Sequence, residues 1–351
     1  MANEIRVNRV ILSDLPDIHN FKVYEGNDCF GIFSSGEVIS MTYDNAKELG
    51  IDIENAQHTD LPKYLSMALE SDDGKIKSKA NEIVAELGQR LGAIFYVLKR
   101  DPKITVKSNT RYMVEDFDLW QKINNIFLVG GLANGALGRE LASNAEKTLV
   151  ELGFENIKVK AGKFPSDAQL VGVARLNDSK VKKAVVFDFG HTFVKSAVVE
   201  YGDGKLMGLK MLPKVPSEFM GRGFDTKEEE INEAQLLHQF IVNVITDAMV
   251  KNDINESSHI AISIANNAEN GKIAWGGCYY KLMFIAENYG EYLADALSEA
   301  MGRRISVTLV HDGRAAALCF DEVENSAVFA LGTAFGVGYT EGRHDLLDRD
   351  L

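Results

Sequence analysis

The chain has 351 residues, of which 46% are hydrophobic and 25% are charged, so it can bury a full core and is long enough for two domains. Its formal net charge of −13, without a concentrated basic patch, argues against nucleic acid as a partner. No apolar run approaches the roughly 20 residues that a bilayer requires, and MANEIRVNRV lacks the apolar segment of a signal peptide, which argues against a membrane partner and predicts a cytoplasmic protein.

Apolar spacing in the first half of the chain predicts helices and strands in alternation. The predicted elements are a helix at 77–99, a strand at 126–129, a helix at 138–153, a strand at 156–160 and a helix at 166–176. Asp101-Pro102 ends the first of these helices. Such alternation favours a sheet of parallel strands covered by helices.

The second half begins with a meander of strands. The predicted elements are strands at 185–189, 194–201 and 206–212, a helix at 227–251, a strand at 259–265, a helix at 282–301, a strand at 305–310, a short helix from Asp312 and a hairpin at 327–341. The hairpin at 184–200 and the hairpin at 327–341 resemble each other, since each joins two apolar strands through a turn of glycine and threonine. Two similar hairpins suggest two similar domains.

The turns of these hairpins carry residues that suit phosphate binding. Gly190 with Thr192, and Gly332 with Thr333 and Gly336, form turns whose backbone N–H groups can hold phosphate oxygens. Asp188, at a strand tip, suits Mg²⁺ bound largely through water, and Lys195 can add a positive charge. The alternative for each hairpin is an ordinary turn, with the aspartate bonded to its backbone.

Two further stretches follow apolar strands. Asp312 lies between a strand and a helix, where a carboxylate can accept the proton of a hydroxyl that attacks phosphorus, or can simply cap the helix. Gly130 and Gly131 remove side chains after a strand, so that a flat ring can lie against the backbone. The chain has neither the G-x-G-x-x-G fingerprint nor a P-loop, which argues against Rossmann and P-loop chemistry.

Taken together, these stretches resemble the superfamily of sugar kinases, heat-shock chaperones and actin (ASKHA). D-x-G-x-T-x-x-K at 188–195 resembles its first phosphate motif, LGTAFGVG at 331–338 its second, and VGGLA at 129–133 its adenosine motif. HDGRAAAL at 311–318 resembles an element of ROK-type sugar kinases, as does the segment from His259 to Gly277. The resemblance covers most of residues 126–340 and implies an α/β fold of two ribonuclease H-like domains with a central cleft.

The motifs stand in an unusual order, because the adenosine motif comes first and the second phosphate hairpin comes last. We therefore expect a circularly permuted ASKHA chain. One domain would combine residues 1–178 with 326–351, and the other would comprise 181–325 with the first phosphate hairpin. Residues 1–75 resemble no element of the family.

The resemblance implies a role for each matching residue. Asp312 would be the catalytic base and Asp188 the Mg²⁺ ligand. ATP would be bound by Gly190, Thr192, Lys195, Gly332, Thr333, Gly336, Gly130 and Gly131. His311 stands where ROK kinases have a sugar-binding asparagine, and Asn266, Asn267 and Trp275 lie where acceptor contacts are expected, although each could instead be a loop cap or a core residue.

The implied function is ATP-dependent transfer of phosphate to the hydroxyl of a small molecule such as a sugar, with ATP and Mg²⁺ as cofactors. The sugar-binding E-x-G-H element of ROK kinases is absent, so hexose specificity does not follow. The alternatives are an actin-like or chaperone-like ATPase that changes shape with its nucleotide, or a non-catalytic relative. A homodimer is compatible with each of them.

Overall fold

The computed structural model describes residues 5–177, 181–255, 257–343 and 345–351. Contacts between Cα atoms divide the chain into two compact units. The first unit comprises Met1–Ser166 and Val323–Tyr339, and the second comprises Asp167–Glu322 and Thr340–Leu351. Residues 178–180, at the expected boundary between the two domains, lie outside the described residues.

The fold is mixed α/β. The helices, in chain order, are α1 (Cys29–Ile32), α2 (Ser35–Asp44), α3 (Leu61–Leu69), α4 (Gly74–Lys99), α5 (Pro102–Ser108), α6 (Asp118–Lys122), α7 (Gly135–Glu151), α8 (Ala168–Ala174), α9 (Lys227–Lys251), α10 (Tyr289–Met301) and α11 (Asp312–Leu318). The strands are β1 (Asn125–Val129), β2 (Lys158–Ala161), β3 (Lys183–Phe189), β4 (Phe193–Gly202), β5 (Lys205–Met211), β6 (Val215–Pro216), β7 (His259–Ile264), β8 (Asn266–Glu269), β9 (Lys272–Gly277), β10 (Ser306–His311), β11 (Ser326–Ala330), β12 (Gly336–Tyr339) and β13 (Asp348–Arg349). Within the described ranges, no helix combines the length and apolar character needed to cross a membrane.

The sheet of the first unit has the strand order β12-β11-β1-β2. β1 runs parallel to both β11 and β2, whereas β11 and β12 form an antiparallel hairpin. The two long helices of this unit, α4 and α7, pack closely against each other, because Gly88 and Gly92 of α4 leave room for side chains of α7. A Cβ atom on Gly88 would lie only 2.4 Å from the Cβ of Asn144, so this crossing depends on glycine.

The N-terminal segment, for which the sequence predicts no element, is part of the first unit. It forms α1, α2 and α3, with two 3₁₀ turns before α1 and one between α2 and α3. Leu12, Phe21 and Phe33 from this segment are almost completely buried and belong to the same apolar core as the sheet. Its removal would therefore open that core.

The sheet of the second unit has the order β10-β7-β3-β4-β5-β13, and β6 pairs with β4. β3, β4 and β5 form an antiparallel meander, while β7 and β10 lie parallel to β3 on its other side. A separate ribbon, β8–β9, follows β7 directly. The three parallel strands consequently end at one edge of the sheet.

The two sheets share one arrangement. In each, a hairpin is followed across the sheet by two strands parallel to its first strand, in the order β12-β11-β1-β2 or β4-β3-β7-β10. The hairpin comes last in the chain in the first unit and first in the second unit. This is the chain order that a circular permutation would produce, and the permutation itself stays a prediction.

Three features differ from the sequence-based expectations. The predicted helix at 282–301 is instead a 3₁₀ turn at Tyr280–Phe284 followed by α10, whose N-terminus is capped by the side chain of Asn288. The ribbon β8–β9 was not predicted, because its short strands carry little apolar alternation. Residues 167–177 and 340–351 group with the second unit, not the first.

Tight contacts explain that grouping. α8 crosses α11 so closely that a Cβ atom on Gly172 would lie 1.8 Å from the carbonyl oxygen of Ala315. The C-terminal segment returns to the same unit, where Arg175 Nε donates to the Leu347 carbonyl at 2.8 Å and β13 pairs with β5. The small, buried alanines of α11 permit this close crossing.

Candidate active site

Three polar residues lie where parallel strands of the second unit end. Asp188 on β3 pairs in register with Ser263 on β7, and Ser263 pairs with Val310 on β10. Asp312 follows two residues after Val310, as the first residue of α11. Two carboxylates and a hydroxyl thus meet at the carboxyl edge of one sheet, the usual position of ligand sites in such folds.

Asp188 is buried, with 6% of its surface exposed. Its Oδ1 atom accepts a hydrogen bond from Ser263 Oγ at 2.8 Å, and Oδ2 lies 3.6 Å from Lys195 Nζ, directly across the hairpin. Burial raises the pKa of Asp188, the positive charge of Lys195 opposes that rise, and the negative charge of Asp312 adds to it. Two carboxylates that repel each other favour a cation between them.

Asp312 is partly exposed, with 27% of its side chain accessible. Its Oδ1 atom accepts the N–H of Gly313 at 2.7 Å and lies 2.9 Å from Nε2 of His311. The N-cap position of α11 is occupied by His311, whose side chain makes no capping bond. Asp312 is therefore the first residue within the helix and not its N-cap, and the imidazole of His311 lies next to its carboxylate.

The turn of the first hairpin is held by two residues that the sequence does not single out. The carbonyl of Gly190 accepts hydrogen bonds from Ser217 Oγ and from the Tyr279 hydroxyl, both at 2.8 Å. The Ser217 N–H donates to the carbonyl of Thr192 at 3.0 Å. The Gly190 N–H donates within the turn, to the Phe193 carbonyl at 3.2 Å. This turn is rigidly positioned, and Thr192 is left exposed at its tip.

The turn of the second hairpin is held by the N-terminal segment. Both the N–H and the carbonyl of Phe335 bond to the side chain of Asn8, each at 2.8 Å. The Ser35 N–H donates to the carbonyl of Gly332 at 2.9 Å, and the Phe33 ring stacks on that of Phe335 with 5.8 Å between centroids. Thr333 is exposed at the tip.

Gly130 and Gly131, at the end of β1, have different surroundings. Gly130 has a φ of 91°, and a Cβ atom there would lie 2.4 Å from the Leu331 carbonyl oxygen. A Cβ atom on Gly131 would meet nothing within 4 Å. Gly130 is required by packing, whereas Gly131 faces open space that a ligand can occupy. Within the first unit, both lie beside the strand β11 that leads to Gly332, since the Leu331 N–H donates to the Val129 carbonyl.

The residues expected to contact the acceptor differ in exposure. Asn266 is buried, and its amide is engaged, since Nδ2 donates to the Ala274 carbonyl at 2.9 Å and Oδ1 accepts the Tyr279 N–H at 3.2 Å. It therefore holds the β8–β9 ribbon together. Asn267 is exposed, and Trp275 is 64% exposed, with its ring against that of Tyr280.

Two carboxylates of the second unit bear on the Mg²⁺ ion that the sequence resemblance implies. Carboxylate oxygens are the ligands that Mg²⁺ prefers, and the repulsion between Asp188 and Asp312 would be relieved by a cation. Among the described residues, no group of three or more His, Cys, Asp or Glu residues is arranged to hold a metal ion. The chemistry of Asp188 and Asp312 thus fits a cation that keeps most of its water.

Comparison with known proteins gives a structural similarity and no sequence match. No protein-family profile matches the chain, and no curated protein matches it in sequence. Among solved structures, it is similar to a ROK family transcriptional regulator that is a homologue of the E. coli MLC protein, with 13% identity and a TM-score of 0.29. The similarity covers 75% of this chain and 56% of that protein. Neither a family nor a function follows from a TM-score of this size.

Proposed function

We propose that the protein is an ATP-dependent phosphotransferase of the ASKHA superfamily, which transfers phosphate to a hydroxyl of a small molecule such as a sugar. The observation that carries this proposal is the meeting of Asp188, Ser263 and Asp312 at the ends of three neighbouring parallel strands. The shared strand order of the two sheets supports two ribonuclease H-like domains joined in permuted order.

In this proposal Asp312 is the general base. Its carboxylate is accessible, and it accepts the proton of the substrate hydroxyl as the oxygen attacks phosphorus. His311 Nε2, at 2.9 Å from Oδ1, orients the carboxylate and can hold a proton beside it. The N–H of Gly313 fixes the same oxygen from the backbone.

Asp188 and Lys195 contribute to phosphate transfer through their charges. Asp188, held by Ser263, would bind Mg²⁺ mainly through water, and the ion would offset the negative charge of the nucleotide phosphates. Lys195, 3.6 Å from Asp188, places a second positive charge at the same edge. The turn from Gly190 to Thr192 offers its exposed tip to the phosphates, and Ser217 and Tyr279 hold it in place.

The first unit supplies nucleotide contacts without charged groups. The adenosine would lie against the open face of Gly131, and the phosphates against the turn that contains Gly332, Thr333 and Gly336. Both stretches follow strands that lie side by side in the sheet, β1 and β11. The backbone therefore approaches the nucleotide closely.

The test is ADP release by the purified protein with MgATP and a panel of hydroxylated acceptors. We expect an acceptor to stimulate ADP release, and the variant Asp312→Asn to lower kcat by about 10²- to 10⁴-fold while MgATP affinity stays unchanged. Asp295→Asn, an exposed aspartate of α10, serves as the control with normal turnover. Unchanged turnover in Asp312→Asn would remove the base assignment.

A second candidate is an ATPase that changes shape with its nucleotide and has no acceptor. The engaged amide of Asn266 favours it, because one of the residues expected at the acceptor site serves the ribbon instead. Slow ADP release that no acceptor stimulates would support this candidate. A protein that neither releases ADP nor gains thermal stability from MgATP would be a non-catalytic relative.

A further inference from the structure

A segment from Ser217 to Arg222 runs along the carboxyl edge of the sheet in the second unit. It begins at the first hairpin turn, where Ser217 bonds to the carbonyls of both Gly190 and Thr192. It ends at the β8–β9 ribbon, where Arg222 Nη2 donates to the Gly277 carbonyl at 2.9 Å. The segment Ser217–Arg222 therefore lies beside the strand ends that carry Asp188 and Asp312.

A buried lysine holds this segment in place. Lys281 has no exposed surface, and its Nζ atom donates to the carbonyls of Phe219 at 2.5 Å and Gly221 at 3.1 Å and to Glu233 Oε2 at 2.9 Å. Phe219 has a φ of 58°, a strained conformation for a bulky residue. Strain of this kind persists only where surrounding contacts fix the chain, and such positions cluster at functional sites.

Arg222 is connected by hydrogen bonds to the end of β7. Its Nη2 atom also lies 3.8 Å from Cys278 Sγ, and the Cys278 N–H donates to the carbonyl of Ala265 at 3.2 Å. Ala265 follows β7 directly, and its own N–H donates to the Phe189 carbonyl at 2.9 Å, next to Asp188. Burial raises the pKa of the Cys278 thiol, the positive charge of Arg222 opposes that rise, and the negative charge of Asp312 adds to it.

The guanidinium of Arg222 is exposed, and it has no carboxylate partner within 4.0 Å among the residues that the structure describes. Its hydrogen bonds go to a backbone carbonyl and a thiol through one nitrogen. In a chain of net charge −13, this exposed arginine has further N–H groups that can bind an anionic acceptor. The planar fork of arginine suits a carboxylate or phosphate group.

We infer that Arg222 binds a negatively charged group of the phosphate acceptor, so that the substrate is an anionic hydroxy compound, a hydroxy acid or a phosphorylated polyol, rather than a neutral sugar. The inference rests on the proposed phosphotransferase function. It also accounts for the missing sugar-binding element, because a positive charge on the segment Ser217–Arg222, and not a set of hydroxyl contacts, would recognise the substrate.

The experiment uses matched acceptors that differ in charge. Glycerate and glycerol 3-phosphate are compared with glycerol, and gluconate with sorbitol, each for ADP release and for binding by calorimetry without ATP. The proteins are the wild type, Arg222→Gln, Arg222→Lys and Arg304→Gln. Arg304 is an exposed arginine just before β10, at the opposite edge of the sheet, and is the matched control.

We expect at least one anionic member to bind and to be phosphorylated, with kcat/KM at least about tenfold above its neutral counterpart. Arg222→Gln should raise its KM by about 10- to 100-fold with little change in kcat, since hydrogen bonds to charged groups contribute about 1.5–3 kcal/mol. Arg222→Lys should recover part of the loss, and Arg304→Gln should match the wild type. The response to glycerol 3-phosphate against glycerate separates phosphate from carboxylate recognition.

The other outcomes separate the inference from the function on which it rests. If neutral and anionic acceptors react equally and Arg222→Gln changes nothing, the kinase stands and the inference is overturned. If an anionic compound binds, loses binding in Arg222→Gln, and yet gives no ADP, the anion site stands and the kinase fails. Absence of any binding or turnover with every anionic compound overturns the inference.

Discussion

The hairpins β3–β4 and β11–β12 have the same place in their sheets but different side chains. Asp188 pairs with Lys195 across the hairpin of the second unit, whereas Ala330 pairs with Gly336 across that of the first. The hairpin of the second unit carries an ion pair next to its turn, whereas residues 331–338 of the other hairpin include no charged side chain. The charge therefore lies on one hairpin alone, which supports separate tasks for the two turns.

The turns also differ in how they are held. In the second unit, Ser217 and Tyr279 bond to the carbonyl of Gly190 from later segments of the same unit. In the first unit, Asn8 and Ser35 come from the N-terminal segment, which lies outside the motifs that resemble the ASKHA superfamily. A turn without charged side chains gains its fixed geometry from added backbone contacts.

The largest expected effect tests the charged hairpin. Asp188→Ala should lower turnover by about 100-fold or more, because it removes the proposed Mg²⁺ ligand and the negative charge that lies 3.6 Å from Lys195. Ser263→Ala keeps the carboxylate, removes only one hydrogen bond, and should cost about tenfold. Steady-state ADP release at varied Mg²⁺ measures both. Equal losses in the two variants would contradict a role for the carboxylate itself.

The next effect tests the uncharged side of the comparison through two adjacent glycines. Gly130→Ala should destabilise the protein by about 3 kcal/mol or more, because its Cβ would clash with Leu331 at a positive φ. Gly131→Ala should leave the free energy of unfolding unchanged and weaken MgATP binding, since its Cβ would enter open space. Urea unfolding and nucleotide titration distinguish these results, and unchanged ATP affinity in Gly131→Ala would remove Gly131 from the nucleotide site.

A smaller effect tests how each turn is held. Asn8→Ala removes two hydrogen bonds from the backbone of Phe335 and should cost about 1–3 kcal/mol. Ser217→Ala removes one side-chain bond and should cost about 1 kcal/mol. Denaturant midpoints with and without MgATP measure both. If Asn8→Ala were as stable as the wild type and bound MgATP equally well, the N-terminal segment would not hold the turn.

The smallest effect is a dependence of stability on pH at Asp188, which Ala330 of the other hairpin cannot show because it has no titratable group. Burial raises the pKa of Asp188, so the folded protein holds that proton more tightly than the unfolded chain does. Lowering the pH through the raised pKa should therefore stabilise the wild type relative to Asp188→Asn, with the full gain below the pKa of the unfolded chain. The difference in unfolding free energy along a pH series measures it, and a change of the opposite sign would contradict the raised pKa.

Local signals predicted much of the fold. The helix at 227–251 has the predicted bounds, because Thr226 and Glu229 form a capping box at its start. The strands that end at Phe189 and Val129 follow from short apolar runs before glycine. These elements depend on residues that are near each other in the sequence, so pattern and propensity suffice.

Long-range contacts could not be predicted in the same way. Asn8 and Phe335 are 327 residues apart, and no periodicity links them. Ser217 and Tyr279 reach Gly190 from different segments, and the buried amide of Asn266 becomes evident only once the ribbon is seen. The sequence located the carboxylates, whereas the contacts that position the turns depend on the folded chain.

The central place of β11 in the sheet of the first unit affects folding during synthesis. β1 cannot pair with its parallel neighbour β11 until β11 leaves the ribosome, about 200 residues later, or after roughly 10–40 s of translation. During that interval the apolar edge of β1 has no partner on that side, while the second unit, encoded almost wholly in between, can already fold. Newly made chains should therefore depend on chaperones until the last hairpin emerges.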